Sequence, residues 1–280
     1  MTINDWLGAT TNKFSSAGIE SARLDSQIIL EHVLGITRES LLSRPDFELS
    51  NDDVVRLNSL IERRLKLEPV AYLTGTRQFY GLDFDVNSSV LVPRPETEKL
   101  VEYIIDTARE KTRILDVGTG SGVIAISLKK NRDDLEVSAS EISESTLKVA
   151  RANAGKHDVF IGFIKSDLFS EIRALKQYDI IAANLPYVSL DKLSEQSELK
   201  HEPAIALFSD EGDGLNLYRK FFSEVNQYLV PNTGFVVAEH DPAQLETLTT
   251  IAKKVNLNAE SISPFITKFS PIPIRTISIN

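Results

Sequence analysis

The chain has 280 residues, 42% hydrophobic and 25% charged, a balance that belongs to a folded globular protein and excludes a fibrous or largely disordered one. Its formal net charge is −9, from 31 Lys and Arg against 40 Asp and Glu, which argues against tight non-specific binding to DNA or RNA because that depends on clustered cations meeting phosphates. With no cysteine, disulfides, thiolate metal sites, iron–sulfur clusters and a Cys nucleophile are excluded together.

The start, MTINDWLGATTNKF, has no basic segment leading into an apolar run, so no secretory signal is expected. Uncharged apolar stretches fall well short of the roughly 20 residues that span a bilayer. A soluble, cytoplasmic protein with no membrane association is the expectation.

Residues 1–75 read as helix after helix. Leu24, Ile28, Ile29, Val33 and Leu34 recur at helical spacing over Ala22–Leu34, and Gly35 follows where a left-handed capping residue belongs. Ser50 with Asp53 three residues on predicts an N-cap ahead of Val54, Leu57, Leu60, Ile61 and Leu65, and Pro69 stops that helix. A small helical bundle is expected, with Arg63-Arg64-x-Lys66 as a solvated helix face.

Alternation around Asn87-Ser88-Ser89 in QFYGLDFDVNSSVLVPRPE predicts a β-hairpin linker over 76–95. Pro93-Arg94-Pro95 then leads into a helix with Glu96 and Glu98 in its first turn, where carboxylates favour the helix dipole. From 96 to 280 strands and helices alternate. Strands are expected at Arg113–Val117, Glu136–Glu141, Tyr178–Asn184 and Gly234–Glu239, and helices at Val123–Lys130, Ser145–Ala154, Leu215–Leu229 and Ala243–Val255. PIPIRTISIN reads as a late strand. Repeated β-α units imply a mostly parallel sheet covered on both faces, an α/β Rossmann-like domain.

In ILDVGTGSGVIAISL a strand runs into Gly118, Gly120 and Gly122 and a helix begins at once. Glycines there permit a sharp turn and close approach to a ligand, with helix N-terminal amides facing it. The spacing G-x-G-x-G leans away from a dinucleotide pyrophosphate site. Nineteen residues after Gly122, Glu141 ends the next strand, where a carboxylate can accept both hydroxyls of a ribose. One strand further, Asp167-Leu168 falls where an adenine would rest. A nucleoside without a pyrophosphate fits best, which points to S-adenosyl-L-methionine.

The strand YDIIAANLPYV ends in Asn184-Leu185-Pro186-Tyr187, on the same carboxyl edge as the glycine loop. The Asn184 side-chain carbonyl can accept a hydrogen bond from a planar –NH2 group, and the Leu185 carbonyl, held extended before proline, can be aimed at the same nitrogen. Tyr187 is expected to cover a planar substrate. Two acceptors on a weakly nucleophilic amide or exocyclic amine would hold it in line with the methyl–sulfonium bond.

With both segments in view, the chain resembles the release-factor glutamine methyltransferases of the HemK/PrmC type. The likeness rests on Tyr72-x-x-Gly75, Phe79-Tyr80-Gly81, VPRPETEKLVE (92–102), LDVGTGSG (115–122), NLPY (184–187) and HEPAIAL (201–207). It implies a helical substrate-binding domain (1–75), a hairpin linker (76–95) and a class I S-adenosylmethionine-dependent methyltransferase domain (96–280). It also implies methyl transfer to the side-chain amide nitrogen of the glutamine in the Gly-Gly-Gln loop of class I peptide-chain release factors. A monomer is expected. On that likeness Gly118, Thr119, Gly120, Ser121, Gly122, Glu141, Asp167, Leu168 and Asn184 hold the cofactor. Asn184, Leu185, Pro186 and Tyr187 grip the glutamine, and Arg94 and Glu96 stand at the mouth of the site. This chain carries Leu185 where the family has Pro and Glu141 where it has Asp, and its final segment departs from the family's Gly-rich hairpin.

An adenine amino-methyltransferase shares such tetrads but needs a basic groove, and residues 1–75 hold 8 Lys and Arg against 11 Asp and Glu. A non-catalytic module that keeps the cofactor fold would not need Asn184. A nicotinamide-dependent dehydrogenase is disfavoured by the glycine spacing. His32, His157, His201 and His240 are scattered without metal-ligand spacing, so no metal is expected.

Overall fold

The computed structural model describes residues 1–173, 177–189, 198–209 and 212–272. They divide into two compact units, Met1–Thr76 with Glu195–His201, and Arg77–Ser194 with Glu202–Asn280. No helix among the described residues is long and apolar enough to cross a membrane.

The first unit is helical: α1 (Ile3–Ser16), α2 (Ala22–Leu34), α3 (Arg38–Ser43), α4 (Asn51–Leu65) and α5 (Val70–Thr74). Ser50 and Asp53 form the expected capping box, and Thr2 with Asp5 forms another at the head of α1. Gly35 ends α2 in the left-handed conformation, φ 64°. Trp6, Phe14, Ile29, Leu30, Leu57 and Ile61 fill the core.

Arg64 corrects the reading of its segment as a solvated face. Arg63 is exposed and pairs with Glu68, but Arg64 is 1% exposed. Arg64 Nε donates to Asp25 Oδ2 at 2.7 Å, Nη1 to the Glu68 carbonyl at 3.2 Å, and Nη2 to Glu198. Close by, His201 Nε2 lies 2.7 Å from the Lys66 carbonyl oxygen. Helical periodicity marks only apolar positions, so it is blind to a cation that enters a core together with its counter-ion.

In the second unit β1 (Thr76–Phe79) and β2 (Leu82–Asp85) form the hairpin, which turns at Tyr80 and Gly81, not at Asn87–Ser89 as expected. Both turn residues have positive φ, 50° and 74°. That suits a two-residue connection whose twist matches its strands. Asn87 instead begins a following turn, its Oδ1 accepting the Ser89 N–H at 2.8 Å.

A seven-stranded sheet follows in the order β5-β4-β3-β6-β7-β9-β8. Its strands are β3 (Arg113–Val117), β4 (Glu136–Glu141), β5 (Gly162–Lys165), β6 (Ile180–Ala183), β7 (Phe235–Glu239), β8 (Leu257–Ser261) and β9 (Ile266–Pro271). β5, β4, β3, β6 and β7 run parallel, and β9 runs antiparallel to both its neighbours, β7 and β8. β9 ends at Pro271, where the expected late strand was to begin, and that expectation falls on residues 273–280, outside the described residues.

Alternate residues of the central strands face opposite ways, and each face has its own core. Leu115, Val117, Ile181, Ala183, Val236 and Ala238 pack with α9 (Asn216–Val225) and α10 (Leu245–Lys253). Ile114, Ala139, Ile180, Ala182 and Val237 pack with α6 (Glu98–Thr107), α7 (Val123–Asn131) and α8 (Glu144–Lys156). Register pairs Val117 with both Ser140 and Ala183, and Ala183 with Ala238, so the carboxyl ends of β4, β3, β6 and β7 share one edge.

Candidate active site

A cavity of about 150 Å³ opens on that edge. Parallel strands whose loops diverge at their carboxyl ends leave a crevice there, and the glycine loop and the Asn184 segment line it together.

Gly118 and Thr119 both donate their N–H to the Ser140 carbonyl, at 2.9 and 3.0 Å. The loop is thereby folded back onto β4. Gly118, Gly120 and Gly122 have φ of 74°, 58° and 87°, which L side chains rarely adopt. Gly118, Thr119, Gly120 and Ser121 line the cavity, whereas Gly122 does not. A Cβ on Gly122 would stand 2.7 Å from Ile126 Cδ1 and 3.4 Å from Ala150 Cβ, so this glycine lets the start of α7 approach α8.

Glu141 lines the cavity and holds the loop as well. One of its oxygens accepts the Gly120 N–H at 3.2 Å and the other the Ser143 N–H at 3.1 Å. Ile142 and Leu168 add apolar walls, Leu168 with an unusual φ of 49°. Asp167 lies at the lining too, exposed, its Oδ2 2.7 Å from Lys220 Nζ.

Behind the loop, Asp116 is fully buried, a feature the sequence reading passed over. Its Oδ2 accepts from the Thr119 hydroxyl at 2.6 Å and the Ala125 N–H at 3.3 Å, while its Oδ1 has no hydrogen-bond partner. Burial pushes the carboxyl up to about 7, although the Thr119 and Ala125 bonds pull it down, and the Glu141 charge adds to the rise.

Asn184 presents its side chain from the end of β6. Its Nδ2 donates to Thr97 Oγ1 at 3.1 Å, and Thr97 Oγ1 donates to Glu239 Oε2 at 2.6 Å. The Tyr187 hydroxyl donates to the other Glu239 oxygen at 3.0 Å. Burial raises the Glu239 carboxyl above the usual range, and the Thr97, Tyr187 and Asn184 bonds oppose that rise. Tyr187 is not among the residues lining the cavity; its hydroxyl and its carbonyl are both bonded, the carbonyl accepting from Gln244 Nε2 at 2.9 Å. Leu185 and Pro186 do line the cavity, with the Leu185 N–H 3.4 Å from the Tyr218 hydroxyl.

Arg94 also lines the cavity, held by Glu202, a residue given no role in the sequence reading. The buried Glu202 carboxylate takes Arg94 Nη2 at 2.5 Å and the Val92 N–H at 2.9 Å, which pins the Pro93-Arg94-Pro95 turn. Glu96 is not in the lining, though its charge helps raise the Glu239 carboxyl. The missed residues Thr97 and Glu202 lie within motif stretches and Glu239 ends an expected strand, and those placements are the only trace of them in the sequence.

Among the described residues no group of three or more His, Asp or Glu is placed to hold a metal ion. The donor set instead fits an adenosyl group with an amino-acid tail. A glycine turn tight enough that a Cβ on Gly118 would meet Leu185 at 3.1 Å stands beside a strand-end carboxylate and an apolar slot.

Comparison with known proteins agrees with this arrangement. Residues 5–75 match the PrmC N-terminal domain and residues 85–201 the Methyltransferase small domain. A release factor glutamine methyltransferase of Neisseria gonorrhoeae is 38% identical over 86% of this chain and 85% of its own length, and one of Deinococcus radiodurans is 34% identical over 93% of each. A bifunctional methyltransferase of Rickettsia felis is 35% identical over 93% of this chain but only 55% of its own length, so the chain spans about half of that relative. The crystal structure of a methyltransferase from Pyrococcus furiosus, 15% identical, superposes with a TM-score of 0.50 over 80% of this chain and 100% of that one, a likeness of fold. A class I methyltransferase fold, a glycine loop facing an Asn-Leu-Pro-Tyr turn, and relatives aligned along nearly the whole chain together place this protein in the release factor glutamine methyltransferase family.

Proposed function

We propose that the chain transfers the methyl group of S-adenosyl-L-methionine to the side-chain amide nitrogen of the glutamine in the Gly-Gly-Gln loop of class I release factors. The observation that carries this reading is the single cavity shared by the glycine loop and Asn184. When bound, the cofactor supplies an electrophilic methyl group on a sulfonium. Gly118–Ser121 and Glu141 hold its tail and ribose, and Ile142, Asp167 and Leu168 surround its adenine.

An amide nitrogen is a poor nucleophile because its lone pair is delocalised into the carbonyl. Asn184 commits Nδ2 to Thr97, which leaves Oδ1 as the acceptor for a substrate N–H. The Leu185 carbonyl is the second acceptor. Two acceptors on one –NH2 orient it and favour localisation of its lone pair, so alignment and fixed dipoles supply the acceleration. The helical unit is the part we assign to holding the protein substrate, and action on release factors would put the enzyme in the cytoplasm. No observation favours adenine as the substrate or a non-catalytic role.

The test is transfer of a labelled methyl group to an unmethylated class I release factor, with the modified peptide located by mass spectrometry. Label on the glutamine of the Gly-Gly-Gln loop is expected. Asn184→Ala should remove transfer while cofactor affinity stays within about twofold, since the lost contact is to the nucleophile. Label on another residue or on nucleic acid, or an equal loss of cofactor affinity, would overturn the reading.

A further inference from the structure

Asn184 can serve as an acceptor only if its amide faces the right way round. An amide turned by a half-rotation presents an –NH2 group, which donates and repels a substrate N–H. Nothing in the Asn-Leu-Pro-Tyr turn itself decides between the two orientations. The deciding groups come from two other places in the chain, Thr97 at the head of α6 and Glu239 at the end of β7.

We propose that Glu239, directly and through Thr97, is the positioning residue that fixes the Asn184 amide with Oδ1 toward the cavity. This rests on the reading that Asn184 accepts from the substrate amide. In its ionised form the Glu239 carboxyl only accepts, so the single Thr97 hydroxyl proton goes to Glu239, at 2.6 Å. The Thr97 oxygen is then left with lone pairs only. It accepts Asn184 Nδ2 at 3.1 Å, and an inverted amide would set Oδ1 against an oxygen with no proton to give. The Tyr187 hydroxyl, 3.0 Å from the second Glu239 oxygen, stops the carboxylate from rotating away. Thr97 is 2% and Glu239 1% exposed, so water does not compete for these bonds. The direction of one buried proton thereby sets the polarity of the group that meets the substrate.

Thr97→Val keeps the shape of the side chain and removes the proton and the acceptor. It should lower kcat by roughly tenfold to a hundredfold, the scale of one misdirected hydrogen-bonding group. The release-factor KM and the cofactor Kd should change little. Thr97→Ser should restore most of kcat, and Glu239→Gln, which can both donate and accept, should fall between. Combined with Asn184→Ala, Thr97→Val should add no further loss.

A readout that needs no substrate accompanies this. In 15N-labelled wild type the Asn184 side-chain –NH2 should be protected from hydrogen exchange, and in Thr97→Val that protection should vanish while the backbone amides of β6 keep theirs. An unchanged kcat in Thr97→Val, no rescue by Ser, or unchanged –NH2 protection overturns the positioning role. Loss of protection as expected, in an enzyme whose wild type leaves the release factor unlabelled, supports the positioning role and overturns the substrate reading instead.

Discussion

Leu185 Cδ2 stands 3.1 Å from the point that a Cβ on Gly118 would occupy. The turn at the end of β6 thus packs against the first residue of the loop at the end of β3, and the absence of a side chain at Gly118 is what permits it. Gly118→Ala meets two costs, this contact and a φ of 74°. The second alone is worth about 1–2 kcal/mol. Cofactor affinity measured by calorimetry should fall about tenfold or more. Adding Leu185→Ala should return part of the loss, since it relieves the contact and leaves the backbone strain; full recovery would show that strain plays no part.

Glu141 is bonded to the loop and to the head of α8 before any ligand arrives, through Gly120 N–H and Ser143 N–H. A preformed carboxylate costs no rearrangement on binding. Glu141→Gln should weaken cofactor binding by roughly tenfold, with kcat at saturating cofactor close to wild type. A variant that loses kcat and keeps its affinity would place Glu141 in the chemistry rather than in cofactor binding.

Asp116 gives the free enzyme a pH-dependent stability. Its folded carboxyl, at about 7, lies above its ordinary 3.8, so between those values the folded chain holds a proton that the unfolded chain has released. Stability is therefore greatest below about pH 4 for this group and falls as pH rises to about 7, by an amount on the order of a few kcal/mol. Thermal unfolding at pH 5 and pH 8 should show the drop. Asp116→Asn should flatten it, and an equal slope in the variant would assign it to other groups.

Arg64→Ala should be among the more damaging changes in the helical unit. It strands the buried Asp25 carboxylate, and breaking a buried pair costs about 3–5 kcal/mol. Trp6, the one tryptophan and a member of that core, reports the unit's unfolding by fluorescence in urea. Arg64→Met combined with Asp25→Leu should recover most of the loss, because the buried pair is then replaced by apolar volume and the charge left over, on Glu198, is half exposed to solvent.

The glycine loop, the Ser50 cap and the Gly35 stop were legible because each depends on residues within a few positions of one another. The parallel core could be read from β-α repetition, since a strand returning through a helix has one common solution. The hairpin was placed too late because Asn87-Ser88-Ser89 is the stronger turn signal, while the true turn uses Tyr80 at φ 50°, a conformation a tyrosine seldom adopts. The Asn184 motif is legible in the sequence, and its place at the cavity follows from the parallel sheet, but its partners are not legible. Thr97 and Glu239 meet only through the register of β6 and β7 and the placement of α6, and no local pattern encodes that meeting. Arg64 was misread for a similar reason, its counter-ions being distant in sequence.

The helical unit is not one continuous stretch of chain. Glu198 and His201 belong to it, fastened to Arg64 and Lys66, yet they follow the Asn-Leu-Pro-Tyr turn of the other unit. A hybrid made by exchanging residues 1–76 between two relatives would inherit one Arg64 environment from each parent. Inheritance of the N-terminal segment is thus coupled to inheritance of the segment behind the turn, and the two should change together over evolution as one recombining block.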